Sequence, residues 1–566
     1  MKKIKSILIS VFVLFNFSAC QDLDLNPLSE AASGNWYSSE EEIDMSIYGL
    51  FRTAFWPVND EFWADDQHIR VTLNAINNGS LNGETSFVVT KWETAYKAIA
   101  RANVLLANLD KAREMGIHED KIKLYEAQAK FVRGAQYAYL CFYFGDVVYL
   151  DKEIDIDEAF TCGRTSKSEV MKRAYKDLDD AISVLPVSYP DNVPVTVTKG
   201  AAYAYKARYA LYNGDWDIAI KAAKDCMDLN IYELYEDFAS LFLQSTKQSK
   251  EMVFGFPRSV GLGFGTSSHV QNMLPRNRGG YAGVYPSWEL FCSYLCTDGL
   301  PIDESPLFDP SKPFENRDPR CTATIVEFEK PHLGVIYDPN PLSTKVLNTI
   351  TGKMISNKDT RAVATYASYN GLLWKKGVDE SWLENAYQIE PDYVIIRYAD
   401  VLLMYAEAKI EANDIDESVL NAINQVRARA YKVKVSETSL YPAVTTTDQS
   451  ELRRIVRVER RMEFAREGLR YNDIIRWRIA EKVLNTPHYG LLDPAKLKNL
   501  VEQGLWFFPE TPQIDEDGIA DFKPLYDKGW VKKIVERSFN ADRQYLWPIP
   551  TKEILINKNI TQNPNY

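Results

Sequence analysis

The sequence predicts a mostly α-helical protein: a scaffold of helical hairpins interrupted by long loop-rich insertions with few short strands. Three observations predict it. From Arg397 to Ala430 two apolar stripes follow one another. Ala399, Leu403, Ala406 and Ile410 share one helix face and Leu420, Ile423, Val426 and Ala430 the next, so a short polar loop joins an antiparallel pair. Lys199–Asn230 carries a tetratricopeptide-like pattern, with Ala207 as the small residue at a helix crossing, Gly214-Asp-Trp216 as the turn, and Ala219 and Ala223 facing back. Such pairs complete their apolar faces only by stacking on neighbours. Between Glu251 and Asp392, by contrast, glycine and proline become frequent and short β-type runs replace long helices.

In chain order, Met1 to Ala19 reads as a targeting leader. Lys2, Lys3 and Lys5 form its positive start, and Ile7 to Phe17 an apolar stretch too short to span a bilayer. Phe17-Ser-Ala-Cys20 then reads as a lipobox, with Cys20 as the lipidated residue. Glu40 to Phe55 is a first helix, burying Ile43, Ile47, Leu50 and Phe51. Asn59 to Glu84 is a loop rich in Asn, Asp and Gly. Helices follow around Trp92–Leu106, Glu126–Phe144 and Ser168–Leu185, the last closed by Pro186. In the middle region Glu251–Phe256 and Ala323–Phe328 are expected strands, and Tyr285–Leu295 a helix. Asp414 and Glu417 are placed to cap the second helix of the 397–430 pair. Glu459, Arg460, Glu463, Arg466, Arg470, Asp473 and Arg476 have the spacing of ion pairs along helices, and Thr486 to Ala541 is a second loop-rich insertion.

Composition narrows the partners. The formal charge is −12, and the chain without its leader is more acidic still, a field that repels nucleic acid and anionic membrane. No second apolar run is long enough to cross a bilayer, so membrane attachment is expected through acyl chains on Cys20 alone. Beyond Cys20 the six cysteines form no CxxC pair and the five histidines are scattered. No zinc pattern, no EF-hand run and no cofactor motif is present, and the thiols are expected to be free or buried.

The wording of several stretches is more specific than their period. Arg397-Tyr-Ala-Asp-Val-Leu-Leu-Met-Tyr-Ala-Glu-Ala408 and Leu420-Asn-Ala-Ile-Asn-Gln-Val-Arg-Ala-Arg-Ala430 are followed in order by Glu459-Arg-Arg-Met-Glu-Phe-Ala-Arg-Glu-Gly468, Arg470-Tyr-Asn-Asp-Ile-Ile-Arg-Trp477 and Tyr545-Leu-Trp-Pro-Ile-Pro550. Together they resemble the SusD/RagB family of surface lipoproteins for nutrient uptake. The resemblance implies a leader over residues 1–19, a helical region over 20–250 and a C-terminal region over 251–566, the last two packed as one globular unit. It also implies a SusC-like TonB-dependent transporter as partner, in the outer membrane of a Gram-negative bacterium, with this chain facing the cell exterior. Gln21-Asp-Leu-Asp24 resembles the acidic tether of exported lipoproteins.

Rigid helices carrying aromatic loops place recognition on the loops. A sugar is gripped by a ring stacked on its C–H face and by polar groups on its hydroxyl rim. Two loops fit. In Asn59–Asp66, Trp63 is the expected platform and Asp65 and Asp66 the acceptors; in Arg276–Tyr285, glycines are expected to leave Tyr281 and Tyr285 exposed while Arg278 donates. Phe264 is a third candidate aromatic. The resemblance supports Trp63 and Tyr281, since ligand-binding aromatics of the family lie in loops at these places. A glycan-binding, non-catalytic protein is therefore expected. The alternatives are a RagB-type peptide binder and a surface glycoside hydrolase, which would need two carboxylates at a set separation that no motif here supplies.

Overall fold

The computed structural model describes residues 36–189 and 196–566; the leader, Cys20 and the tether behind it lie outside the described residues. The N-terminal helices are α1 (Glu40–Leu50), α2 (Ser86–Ala107), α3 (Glu119–Phe144), α4 (Lys167–Val184), α5 (Lys199–Asn213) and α6 (Trp216–Met227). The C-terminal set is α7 (Tyr398–Glu411), α8 (Glu417–Ala430), α9 (Gln449–Phe464) and α10 (Arg470–Arg476). Helices α3 and α4 approach closely because Gly134 has no side chain. A Cβ there would lie 2.8 Å from the Ala174 carbonyl oxygen. Between α5 and α6, Gly214 takes the left-handed conformation (φ 82°) and its N–H closes α5 onto Ala210 and Leu211, the turn expected from Gly214-Asp-Trp216.

The pair α7–α8 forms as expected, but α7 has no exposed face. Every residue from Ala399 to Ile410 is buried, because α5, α6, α8 and α9 surround it. The cap of α8 also shifts. Asp416, not Asp414, accepts the N–H of Ser418, while Lys409 reaches Asp416 at 2.6 Å and Asp414 at 3.2 Å. One apolar cluster runs from Tyr37 through these helices to Ile560, and a second gathers Trp288, Trp374, Phe507, Phe508 and Phe522 from the loop-rich regions.

The strands are short: β1 (Gln67–Ile69), β2 (Met252–Phe256), β3 (Val284–Pro286) and β4 (Tyr393–Arg397), plus a four-stranded meander between Lys330 and Ser356. β1 pairs antiparallel with β3 and β2 with β4. The strand expected at 323–328 is mostly absent. Asp318 caps a short helix, Pro319–Thr324, with proline in its favoured first turn, and only Ile325 bridges, to Trp374. The helix expected from Tyr285 is cut to Trp288–Ser293, since Tyr285 and Pro286 belong to β3 and Ser287 is the cap of the shortened helix.

The charged residues of α9 and α10 chiefly tie helices together instead of pairing along their own helix. Arg460 holds Asp400 (2.8 Å) and Asp473 (3.0 Å), Arg476 holds Glu407 (2.5 Å), and of the expected local pairs only Arg476–Asp473 forms, at 2.8 Å. Glu463 is reached by Arg397 (2.6 Å), Arg320 (3.0 Å) and Arg429.

His332, at the edge of the meander, is 7% exposed and its Nε2 has no partner. Burial pushes its pKa down to about 4. A depressed folded pKa means that the unfolded chain takes the proton first, so this group's contribution is intact above about pH 6.5 and is lost as pH falls toward 4. His332→Leu is expected to gain about 2 kcal/mol on the wild type between pH 7.5 and pH 5. Urea unfolding at both pH values measures it, and a pH-independent difference would refute it.

Candidate functional site

The β1–β3 ribbon leads to an exposed aromatic surface in the middle region. Register places His68 opposite Tyr285, and both turn inward: Tyr285 is fully buried and its ring stacks on His68 at 5.7 Å. Past the end of the ribbon the chain turns outward on both strands. Arg70 and Ala282 each adopt φ of 44°, a region that residues other than glycine rarely occupy; Arg70 is half-buried and Ala282 is buried against Val326, Tyr337 and Leu373.

Arg70 is the hub of that surface. Its Nη2 donates to the Tyr281 carbonyl oxygen at 2.9 Å and, at 3.5 Å, to that of Tyr366; its guanidinium lies 5.4 Å from the centre of the Tyr366 ring. Arg276 Nη1 reaches the same Tyr281 carbonyl at 3.3 Å. The rings of Tyr281 and Tyr366 stand 46% and 57% exposed. Beneath them the Arg276–Arg278 turn is pinned from behind. Asp359 accepts the backbone N–H of Arg276 at 2.6 Å and of Asn277 at 3.4 Å, and burial pushes its carboxyl up to about 6. The platform is thus two exposed tyrosines, Tyr366 with the Arg70 guanidinium over its ring, on a braced turn.

The other expected site residues divide. Trp63 is 8% exposed and packs on Phe87 (4.9 Å), Trp547 (5.3 Å) and Tyr471 (5.7 Å), with the buried Lys91 ammonium 5.1 Å from its ring, so it is a core residue and not a ligand platform. Asp65 and Asp66 are also buried. Arg461 bonds both at 2.7 Å and Arg470 bonds Asp65 at 2.8 Å, which leaves no role as acceptors for a sugar. Tyr285 faces the core because its pairing with His68 turns it inward. Phe264 is 69% exposed on a tight loop closed by its N–H on the Ser259 carbonyl, and it makes no ring contact with Tyr281 or Tyr366 among the described residues. Arg278 is half-buried in the turn beside Arg276. Arg70 and Tyr366 escape a reading of the sequence: Arg70 follows a strand of three residues, and Tyr366 lies in a loop without period.

A second concavity, of about 460 Å³, lies between β2, β4 and the Lys376–Trp382 segment. Part of its charged wall belongs to the internal network: Lys376 pairs with Glu467 at 2.6 Å, and Arg397 with Glu251 and Glu467, both at 2.7 Å. The structure also gathers donors that the scattered histidines did not suggest. His68, Glu289 and His488 bring ligand atoms within 4.8 Å of one another. Arg537 lies 3.4 Å from Glu289 and supplies the positive charge that a metal would otherwise bring. Burial holds both imidazoles below their usual pKa, hence neutral, so the cluster is charge-balanced without an ion.

A family model described as the SusD family matches residues 250–566. The chain belongs to the SusD family. A second model, described as starch-binding associating with outer membrane, matches residues 40–211. Among solved structures, a SusD-like carbohydrate binding protein of Bacteroides fragilis is 28% identical, with a TM-score of 0.74 over 93% of this chain and 100% of that one. A laminarin binding SusD-like protein shares the fold at 18% identity and a TM-score of 0.62, covering 94% and 100% of the two chains. A SusD-like protein of Formosa agariphila is 24% identical over the full length of both chains. Among the described residues of this SusD-family chain, no helix is long and apolar enough to cross a membrane.

Proposed function

We propose that this SusD-family protein is a lipid-anchored receptor that captures a glycan on the Arg70–Tyr281–Tyr366 surface and hands it, uncleaved, to a SusC-like TonB-dependent transporter in the outer membrane. The observation that carries the site is the pair of open tyrosine rings held around one guanidinium. Rings offer stacking area to the C–H face of a sugar, and the fork and turn offer donors to its rim. The 28% identical Bacteroides fragilis relative is a carbohydrate binding protein, which supports the same class of ligand here. Cys20 is the anchor in this reading, and the helical scaffold is the rigid body that closes over the transporter.

In this reading the surface holds the glycan without cleaving it. A glycosidase needs two carboxyl groups about 5–9.5 Å apart across the bond. The carboxylate that touches the platform loop, Asp359, is spent on two backbone N–H groups.

The test is retardation in a polysaccharide-loaded gel, followed by calorimetry on the glycan that retards best. Tyr281→Ala with Tyr366→Ala is expected to weaken binding by about tenfold or more. Unchanged affinity in that double variant removes the site, and the appearance of reducing ends at enzyme-like rates removes the non-catalytic role. Mild detergent extraction is expected to bring a large β-barrel subunit with the protein.

A further inference from the structure

We infer that the glycan taken at this surface is anionic, bearing carboxylate or sulfate groups, rather than neutral. The inference rests on the proposed binding surface and adds the charge of its ligand. It comes from how the arginines there are left.

Arg70 and Arg276 converge on a single acceptor, the Tyr281 carbonyl oxygen, at 2.9 and 3.3 Å. Two guanidinium ions held that close repel each other, and a neutral carbonyl offsets only part of the repulsion. Elsewhere in this chain converging arginines have carboxylates between them: Arg397 and Arg429 share Glu251 and Glu463, and Arg461 and Arg470 share Asp65. At the platform, no carboxylate lies within ion-pair distance of Arg70, Arg276 or Arg278 among the described residues. Asp359 bonds the backbone N–H groups of Arg276 and Asn277 and meets the Arg276 guanidinium only through space. In a chain with 78 acidic and 66 basic residues, a group of arginines without acids runs against composition.

The hydrogen-bond count agrees. The Nε–H groups of Arg70, Arg276 and Arg278 are buried without an acceptor. Arg361 adds two more orphans, Nε and Nη1, while its Nη2 reaches Asp493 at 3.4 Å and its guanidinium lies 4.6 Å from the Tyr369 ring. Both Arg70 and Arg361 act electrostatically on the Tyr285 hydroxyl beneath the ribbon, so they serve the same region. The buried Nε–H groups show that no acceptor inside the protein serves these arginines. The groups that can meet a ligand are the outer ones, Arg70 Nη1 and Arg276 Nη2, and a carboxylate or a sulfate offers them acceptor oxygens and a negative charge. A sugar hydroxyl offers neither the charge nor the second acceptor. The tyrosine rings remain free to stack on the sugar between its acidic groups.

The test uses the full chain without its lipid and three probes: polygalacturonate for carboxylate, carrageenan for sulfate and laminarin for a neutral glucan. Binding is measured by calorimetry at low salt and again with salt raised about sixfold. The expected result is that one anionic probe binds at least about tenfold tighter than laminarin, and that added salt weakens it by about tenfold. Arg70→Gln and Arg276→Gln are expected to lose this preference, and Arg70→Lys to keep part of it because charge survives without the fork. Thermal melts of each variant establish that it is folded. Laminarin binding that is as tight as anionic binding, or a preference untouched in folded Arg70→Gln, overturns the inference, and so does failure of both anionic probes to bind. If laminarin binds and Tyr281→Ala abolishes it while Arg70→Gln does not, the surface stands and only its charge preference falls.

Discussion

Replacing Glu463 with alanine is expected to lower the folding free energy by about 3–5 kcal/mol, the range for breaking a buried ion pair from one side. Glu463 is fully buried, and three guanidinium groups end on it: Arg320 from the short helix Pro319–Thr324, Arg397 from β4 and Arg429 from α8. Without the carboxylate, Arg397 and Arg429 retain Glu251, at 2.7 and 2.9 Å, and Arg320 retains Asp318 and Glu459, at 2.8 and 2.7 Å. Arg427 also draws on Glu459, and Lys376 shares Glu467 with Arg397, so five cations then face four carboxylates in a region that water does not reach. Burial alone would raise the Glu463 pKa, yet Arg429, Arg397 and Arg320 hold it well below the usual carboxylate range. Its stabilisation is therefore fully present above about pH 4.5, the ordinary glutamate value, and is lost as pH falls further. Urea unfolding at neutral pH checks the prediction, and a loss under about 1 kcal/mol would show that the three arginines find other partners. The same variant at pH 3 is expected to differ less from wild type, because the wild-type carboxylate is by then losing its advantage.

How much of this is legible in the sequence depends on the range of the interaction. The α7–α8 pair and the turn at Gly214 are local, written in spacing and in one residue that tolerates φ of 82°, and the structure holds both in kind. That α7 is buried all round is not legible, since the helices that cover it come from residues 199–227 and 449–464 as well as its own hairpin. Asn59–Asp66 reads the same whether its acids face a ligand or two arginines. The arginines that settle it, Arg461 and Arg470, lie nearly 400 residues away. Tyr281 and Tyr285 share one expectation and separate because β3 begins between them. Val284, Tyr285 and Pro286 are all buried, and pairing with β1 sets Tyr285 against the buried His68 ring. Arg70 and Tyr366 have no local signal, and only tertiary contact brings them together.

Trp63→Ala separates a structural aromatic from a binding one. It is expected to cost about 3–5 kcal/mol of stability, the range for emptying a large aromatic site in a packed core, and to leave the ligand affinity of the folded fraction unchanged. The neighbours explain the size of the effect. Phe87, Tyr471 and Trp547 all contact this ring, so its removal opens a void bordered by three aromatics. Lys91 raises the cost further. Its buried ammonium sits 5.1 Å from the Trp63 ring and 4.7 Å from those of Tyr139 and Tyr143, and burial pushes its pKa down to about 7. Loss of the indole face removes part of what holds that charge, so the lysine in the variant is expected to titrate lower still. Trp63→Phe, which keeps a ring but not the indole, is expected to recover about half of the loss. Tyr281→Ala is the counterpart: on an exposed ring it is expected to change stability by about 0.5 kcal/mol or less while weakening glycan binding. Paired urea melts and calorimetry on both variants decide the matter. A Trp63→Ala protein that melts like wild type but no longer binds would return the site to the Asn59–Asp66 loop and remove it from the Arg70 platform.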